Sequence, residues 1–291
     1  MITSTFAKVN LTLEVLGKRP DNYHELRMIM QSVSISDQLK FTLNQSSPNI
    51  SITSSNSELP LNEDNIIAKI FNFLQKKLEL KTGLNVEITK NIPIAAGLAG
   101  GSSNAAATIL AINKLYNLNL TEKDFFDICT KFGSDIYFSF IGGSKLATGR
   151  GEILKNINIP KLHFVLINPN FPVSTADVFR NLKIQNLPKI NQAFLQKLEV
   201  NQPISYQEIC QNMLNNLETV TTKMHSEINE IKELLLDNGA SASMMSGSGP
   251  TCFGIFESPY AAQKAAENIQ SNKKNYWVHT AHSVPQGIEI N

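Results

Sequence analysis

The densest chemical signal in the chain is Pro93-Ile94-Ala95-Ala96-Gly97-Leu98-Ala99-Gly100-Gly101-Ser102-Ser103, followed by Asn104 and the run Ala105–Ala107. Glycine admits positive φ and lets backbone approach a ligand closely. Ser102, Ser103 and Asn104 are candidate N-caps for a helix carried onward to Leu115 by alanines and leucines. A glycine-rich loop feeding a helix N-terminus offers unpaired N–H groups at the positive end of the helix dipole, and that combination binds phosphate. The stretch therefore reads as a triphosphate cradle. The competing reading is a tight turn entering a buried helix of small residues. Two familiar phosphate loops do not fit. A Walker A loop needs a lysine after its closing glycine, and none follows Gly100 or Gly101. A dinucleotide fingerprint needs G-x-G-x-x-G leaving a strand, whereas Ala95 takes the first glycine's place and Pro93 interrupts the approach.

Several elements must position this loop. At the N-terminus Ala7, Val9, Leu11 and Leu13 alternate with Lys8, Asn10, Thr12 and Glu14, which predicts a half-buried strand with a polar, solvated face. Arg19–Leu26 reads as a turn and return strand, and the Ser- and Asn-rich run Gln45–Pro60 as an exposed loop or weak hairpin. Asp64 caps a helix burying Ile66, Ile67, Ile70, Phe71, Leu74 and Leu78, and Val86 with Ile88 forms a short strand into the glycine loop. Thr121 caps the next helix, which Gly133-Ser134-Asp135 breaks. From spacing alone Asp135 is a helix N-cap. Strands, then helices, then strands again make residues 1–153 an α+β domain.

Residues 154–291 read differently. Strands are expected over Leu162–Ile167, Ser241–Met245, Thr251–Phe256 and Tyr276–His282. Helices are expected from Ser174 or Thr175, over Tyr206–Leu217 and Glu227–Leu236, and after Pro259, with Lys183–Gln202 irregular. The pattern suits a ferredoxin-like βα arrangement, with Ser246-Gly247-Ser248-Gly249-Pro250 as a turn between two strands.

Composition narrows the function classes. A net charge of +1 gives no electrostatic argument for nucleic acid or an anionic membrane surface. No stretch is long and apolar enough to span a bilayer, and Met1–Asn10 lacks an apolar signal core. Cys129, Cys210 and Cys252 are odd in number and widely spaced, which suits reduced thiols and a cytoplasmic location. His24, His163, His225, His279 and His282 form no metal-ligand spacing.

Three separated strings, Lys8 with Asn10, Pro93–Ala107 and Ser246–Pro250, resemble the GHMP kinases in order and spacing. One branch, whose acceptor is a cytidine-diphosphate-linked methylerythritol, fits best. It is matched by Ala7-Lys8-Val9-Asn10-Leu11, Arg19–Leu26, Gly133-Ser134-Asp135 and Thr148-Gly149-Arg150-Gly151-Glu152. The resemblance implies a two-domain fold, an S5-like N-terminal half and a ferredoxin-like C-terminal half, with the active site between them. It implies ATP and Mg²⁺ as cofactors, and transfer of the γ-phosphoryl to the C2 hydroxyl of the acceptor in the non-mevalonate isoprenoid route. No nucleic-acid or membrane partner is expected, and the chain is expected as a monomer or weak homodimer.

Residue by residue, the resemblance assigns Asp135 to the acceptor proton and Lys8 to charge stabilisation. Pro93 and Ala95 through Ser103 are assigned to the phosphates, with Ser103 as a Mg²⁺ contact. On the acceptor side, Tyr23 and Phe179 would sandwich the base and His24 would meet its edge, while Asn10 and Thr175 would touch the erythritol and diphosphate. Asn22 stands where glycine is usual, and asparagine tolerates the left-handed region. Ala95 and Ala99 also replace glycines, and Ser134 and Tyr137 replace alanine and proline. The alternatives are a GHMP kinase for homoserine or mevalonate, and a catalytically silent ligand sensor on the same fold. An RNA-binding module lacks the basic patch it needs.

Overall fold

The computed structural model describes residues 1–273 and 275–291. β1 (Ile2–Lys18) and β2 (His24–Asn44) pair antiparallel along nearly their whole length. β3 (Ile50–Ser54), α1 (Ile66–Leu78), β4 (Gly83–Thr89), α2 (Gly100–Leu115), α3 (Glu122–Phe132) and α4 (Ser134–Ile141) follow. The hairpin of β5 (Ser144–Gly149) and β6 (Ile153–Asn156) then returns to β2. Next come β7 (His163–Asn168), α5 (Thr175–Asn181), α6 (Gln192–Glu199), α7 (Tyr206–Gln211), β8 (Leu214–Asn215), α8 (Glu218–Met224) and α9 (Glu227–Asp237). β9 (Ala242–Met245), β10 (Cys252–Phe256), α10 (Pro259–Asn272), β11 (Trp277–His282) and β12 (Ile288–Ile290) complete the chain.

The first sheet orders its strands β12-β1-β2-β4-β3, with β5 on β2, β6 on β5 and β8 on β1. The second orders them β11-β7-β10-β9, antiparallel throughout. With helices between its first and second and its third and fourth strands, that is the ferredoxin-like βαββαβ order. A core of Leu39, Phe41, Phe71, Leu74 and Ile109 sits between the first sheet and its helices. The other two cores mix residues of both sheets: Leu13, Val15 and Met28 with Val165 and Ile167, and Val9, Leu11 and Ile29 with Phe164 and Phe253.

Several expectations change. The polar face of β1 is not solvated: Lys8 lies against the Gly97 carbonyl, Asp135 of α4 and Gly247, and Glu14 pairs with Arg27, so that Lys8 is 5% exposed and Asn10, Thr12 and Glu14 are each 1% exposed. Asn65, not Asp64, caps α1, its Oδ1 accepting the Ile67 N–H at 2.9 Å. The polar run Gln45–Pro60 holds β3, parallel to β4, and the expected irregular stretch holds α6. The helix expected over Tyr206–Leu217 stops at Gln211, where the Asn212 side chain donates back to the Glu208 carbonyl at 2.8 Å. Finally, β12 pairs with β1, so the last residues belong to the first sheet rather than to the 154–291 half.

Candidate active site

α2 begins at Gly100 behind Ala99, which takes the left-handed conformation at φ 57°, so Ser102, Ser103 and Asn104 lie inside the helix rather than capping it. The first intrahelical bond runs from the Ser103 N–H to the Ala99 carbonyl at 2.9 Å. The N–H groups of Gly100, Gly101 and Ser102 therefore lack intrahelical acceptors. All three residues line one cleft of about 1190 Å³, walled by the first sheet and its helices on one side and by α5 and the β9–β10 loop on the other. Ala95 also takes positive φ, 51°, as does Gly97 at 76°. At Gly97 a Cβ would stand 2.1 Å from the Ser246 carbonyl oxygen, so only glycine lets the two loops meet.

The loop is anchored from below by residues that carry no motif. Asp37, fully buried, accepts the N–H groups of Asn91 and Ile92 at 2.8 Å each and pairs with Lys90 Nζ at 2.6 Å. Lys90 Nζ also donates to the Ile92 carbonyl at 2.6 Å. Burial lowers the Lys90 pKa and Asp37 opposes that shift. Neither Asp37 nor Lys90 stood out in the sequence.

Lys8 and Asp135 meet at the middle of the cleft. Lys8 Nζ lies 3.6 Å from Asp135 Oδ2 and donates to Asn10 Oδ1 at 2.5 Å and to the Gly97 carbonyl at 3.0 Å. Burial pushes the Lys8 pKa down, and the Asp135 charge acts against that shift. Asp135 is not the N-cap of α4: Gly133 holds that position, leaving the Asp135 carboxylate 31% exposed towards the cleft. Among the described residues lining the cleft it is the one acid.

The far end is aromatic and cationic. The rings of His24 and Phe179 stack at 4.9 Å with 24° between planes, while the Arg150 guanidinium lies over the Tyr23 ring at 4.8 Å. The two rings expected to sandwich the base thus each carry a neighbour of their own, Tyr23 an arginine and Phe179 a histidine. Burial, and secondarily Lys18, lowers the His24 pKa, favouring a neutral imidazole. Thr175 Oγ1 and Ser248 Oγ share a hydrogen bond at 2.7 Å, joining α5 to the β9–β10 loop. Asn22 takes φ 68°, the left-handed turn position its side chain tolerates.

The cleft gathers Lys8, Asn10, Tyr23, His24, Pro93, Ala95, Ala96, Gly97, Ala99, Gly100, Gly101, Ser102, Asp135, Thr175 and Phe179. Leu98 and Ser103 lie beneath it. The Leu98 carbonyl accepts the Lys8 N–H at 3.0 Å, and the fully buried Ser103 hydroxyl donates to the Gly100 carbonyl at 3.0 Å. Ser103 therefore presents no oxygen to the cleft, which corrects its expected contact with metal or phosphate; the half-buried Ser102 stands at that surface instead. Arg150 was missed as a site residue, although an arginine between two glycines at a hairpin tip, Gly149-Arg150-Gly151, was the available signal.

Residues 65–143 match the family GHMP kinases N terminal domain, and residues 195–275 match GHMP kinases C terminal. A 4-diphosphocytidyl-2-C-methyl-D-erythritol kinase of Thermoanaerobacter pseudethanolicus is 40% identical over 286 residues, covering 98% of this chain and 96% of that protein. The chain belongs to the 4-diphosphocytidyl-2-C-methyl-D-erythritol kinase family. The family member of Clostridium novyi is 40% identical over 96% of this chain and 99% of its own. A crystal structure of a 4-(cytidine 5'-diphospho)-2C-methyl-D-erythritol kinase superposes with a TM-score of 0.78 at 28% identity, covering 97% of this chain and 99% of that one. The homoserine kinase of Cytophaga hutchinsonii shares the fold, with a TM-score of 0.74 at 22% identity over 100% of this chain and 97% of its own. Like the rest of the 4-diphosphocytidyl-2-C-methyl-D-erythritol kinase family, the chain is an ATP-dependent small-molecule kinase, with the α+β architecture of the GHMP kinases. Among the described residues no helix is long and apolar enough to cross a membrane.

Proposed function

We propose that this kinase transfers the γ-phosphoryl of ATP to the C2 hydroxyl of 4-diphosphocytidyl-2-C-methyl-D-erythritol, a step of the non-mevalonate isoprenoid route. The observation that carries the reading is a single cleft in which a helix N-terminus and an aromatic, cationic lip flank the Lys8–Asp135 pair. The N–H groups at the start of α2 receive the phosphates. The apolar wall of Leu59, Ile66 and Ile94 beyond them receives the adenine. At the opposite end a cytosine ring lies against Phe179 and Tyr23, and neutral His24 hydrogen-bonds its edge. Arg150 and Lys18 face the diphosphate, and Asn10 with Thr175 orients the polyol.

Phosphoryl transfer passes through a loose transition state, so positioning and charge stabilisation supply most of the acceleration. Asp135 accepts the proton of the attacking hydroxyl. Lys8, held by Asn10 and the Gly97 carbonyl, offsets charge on the group in transit. Among the described residues no three His, Cys, Asp or Glu side chains cluster as a metal site. Mg²⁺ needs no such cluster, since it commonly binds through substrate phosphates, water and one or two protein oxygens. Ser102, at the cleft surface, would supply a protein oxygen to it, and when bound it would neutralise phosphate charge. We place the working division of the chain between β6 and β7, with β12 returned to the first half, and read the chain as a monomer or weak dimer acting in the cytoplasm.

ADP release measured with the cytidyl acceptor, homoserine and mevalonate tests the assignment. Turnover with the cytidyl acceptor alone is expected. Turnover with homoserine and none with the cytidyl compound would overturn it.

A further inference from the structure

The loop between β9 and β10 is the part of the second sheet that touches Lys8. A Cβ on Gly247 would stand 3.3 Å from Lys8 Nζ and 3.4 Å from Asn10 Oδ1. Ser246 Oγ donates to the Gly97 carbonyl at 3.0 Å, tying the same loop to the phosphate loop. Yet this loop hangs from β9, the outer strand of its sheet. An outer strand leaves a row of backbone groups without ladder partners.

A short string, Asn215-Asn216-Leu217-Glu218, supplies those partners. Asn215 Nδ2 donates to the carbonyls of Met245 and Gly247 at 2.8 Å each, and its Oδ1 accepts the Leu217 N–H at 3.0 Å. Glu218 Oε1 accepts the Met245 N–H at 2.7 Å, while its Oε2 pairs with Lys232 at 2.6 Å. One turn on, Thr221 Oγ1 donates to the Ser248 carbonyl at 3.3 Å. Asn215 is 5% exposed and Thr221 is fully buried. The string is also fixed to the strand that carries Lys8. Leu214 and Asn215 pair in parallel with Thr12 and Leu13, and Asn216 Oδ1 accepts the Val15 N–H at 2.8 Å. The strand bearing the ammonium and the loop covering it are therefore fastened to one rigid segment.

We propose that Asn215 is a positioning residue for phosphoryl transfer: with Thr221 it holds Gly247 and Ser248 over Lys8 and Thr175, and so fixes where the acceptor hydroxyl meets the phosphate. The inference rests on the kinase reading of the cleft. A primary amide has two N–H donors, and both are used here, on the carbonyls of Met245 at the end of β9 and Gly247 in the loop; a carboxylate of the same shape has none to offer. Asn215→Asp thus keeps the volume, removes both bonds and sets negative charge against two carbonyl oxygens. Small displacements of reacting groups are costly, since a shift of about 1 Å can lower a rate on the order of 100-fold.

The experiment is steady-state kinetics with ATP and the cytidyl acceptor on the unmodified chain, Asn215→Asp and Thr221→Val, alongside thermal unfolding of each. Asn215→Asp is expected to lower kcat at least ~10-fold while the KM for ATP stays within about threefold. Thr221→Val, which removes a hydroxyl shared between the Leu217 and Ser248 carbonyls and so a single contact to the loop, should show a smaller loss of the same kind. An unchanged kcat in folded Asn215→Asp overturns the proposal even if its unfolding midpoint drops, because the residue would then serve stability alone. A rise in the KM for ATP that matches the fall in kcat also overturns it. If Asn215→Asp does not fold, an unchanged kcat in Thr221→Val does the same. An unmodified chain that releases no ADP with any acceptor would instead remove the kinase reading itself.

Discussion

Lys8 sits where burial and charge pull in opposite directions. Its folded pKa lies below the ordinary lysine value of 10.5 because the surrounding protein strips its water. Between that lowered value and the ordinary one the unfolded chain binds more protons, so the Lys8 contribution to stability rises with pH across the interval. Activity runs the other way and is lost as pH climbs through the folded value. A pH–kcat profile should therefore show an alkaline limb below the usual lysine range, in the interval where the unfolding free energy gains. Asp135→Asn keeps the shape but cannot take a proton, and kcat should fall by about 10²- to 10⁴-fold with little change in the KM for ATP. Phe179→Ala removes one face of the aromatic end, worth roughly 1–3 kcal/mol for a stacked base; acceptor KM, read from initial rates, should rise about 10- to 100-fold. These residues were legible through their local strings. Their pairing was implied by the family resemblance alone, since no periodicity in β1 says that Lys8 will be buried and brought to 3.6 Å from an acid on α4. The aromatic end shows the same limit. Tyr23, His24 and Phe179 were named, but which ring stacks on which depends on where α5 lands against β2.

At the scale of elements, the phosphate loop depends on the strand end that launches it. Asp37 and Lys90 form a pair with side chains 0% and 3% exposed, and Asp37 also holds the two N–H groups just before Pro93. Asp37→Asn leaves the ammonium without its counter-charge, and breaking a buried pair in this way costs about 3–5 kcal/mol. Thermal or urea unfolding should show that loss, together with a weakened KM for ATP as the loop slackens. Helices with a clear apolar stripe and a cap residue, such as α1 and α3, were readable to within a residue or so. β3 was hidden because Ile50 and Ile52 sit among serines and asparagines that read as loop, yet pairing with β4 satisfies the backbone whatever the side chains suggest. The start of α2 was misplaced for a related reason. Side-chain caps were sought at Ser102 to Asn104, whereas Ala99 turns the chain with its own left-handed backbone.

Across the whole molecule, the two halves share their interior. Leu13, Val15 and Met28 of the first sheet bury against Val165 and Ile167 of the second, and Glu14 pairs with Arg27 at 2.9 Å while accepting the Ile190 N–H. Such contacts make the cleft a fixed feature of one packed body. The order of expected elements marked a boundary near residue 153, but it carried no signal that residues 288–290 belong to the first sheet. Ile288–Ile290 pair with Thr3–Thr5, and the backbone before them passes so close to Gly142 that a Cβ there would stand 1.9 Å from the Gly287 nitrogen. Removing residues 284–291 should lower the unfolding midpoint by several degrees in a thermal scan and promote association through the exposed edge of β1. The same closure orders events during synthesis. The Thr3–Thr5 margin of β1 stays open on the ribosome until residues 288–290 have emerged, so a nascent chain that stops short of them leaves that edge free to pair with another chain.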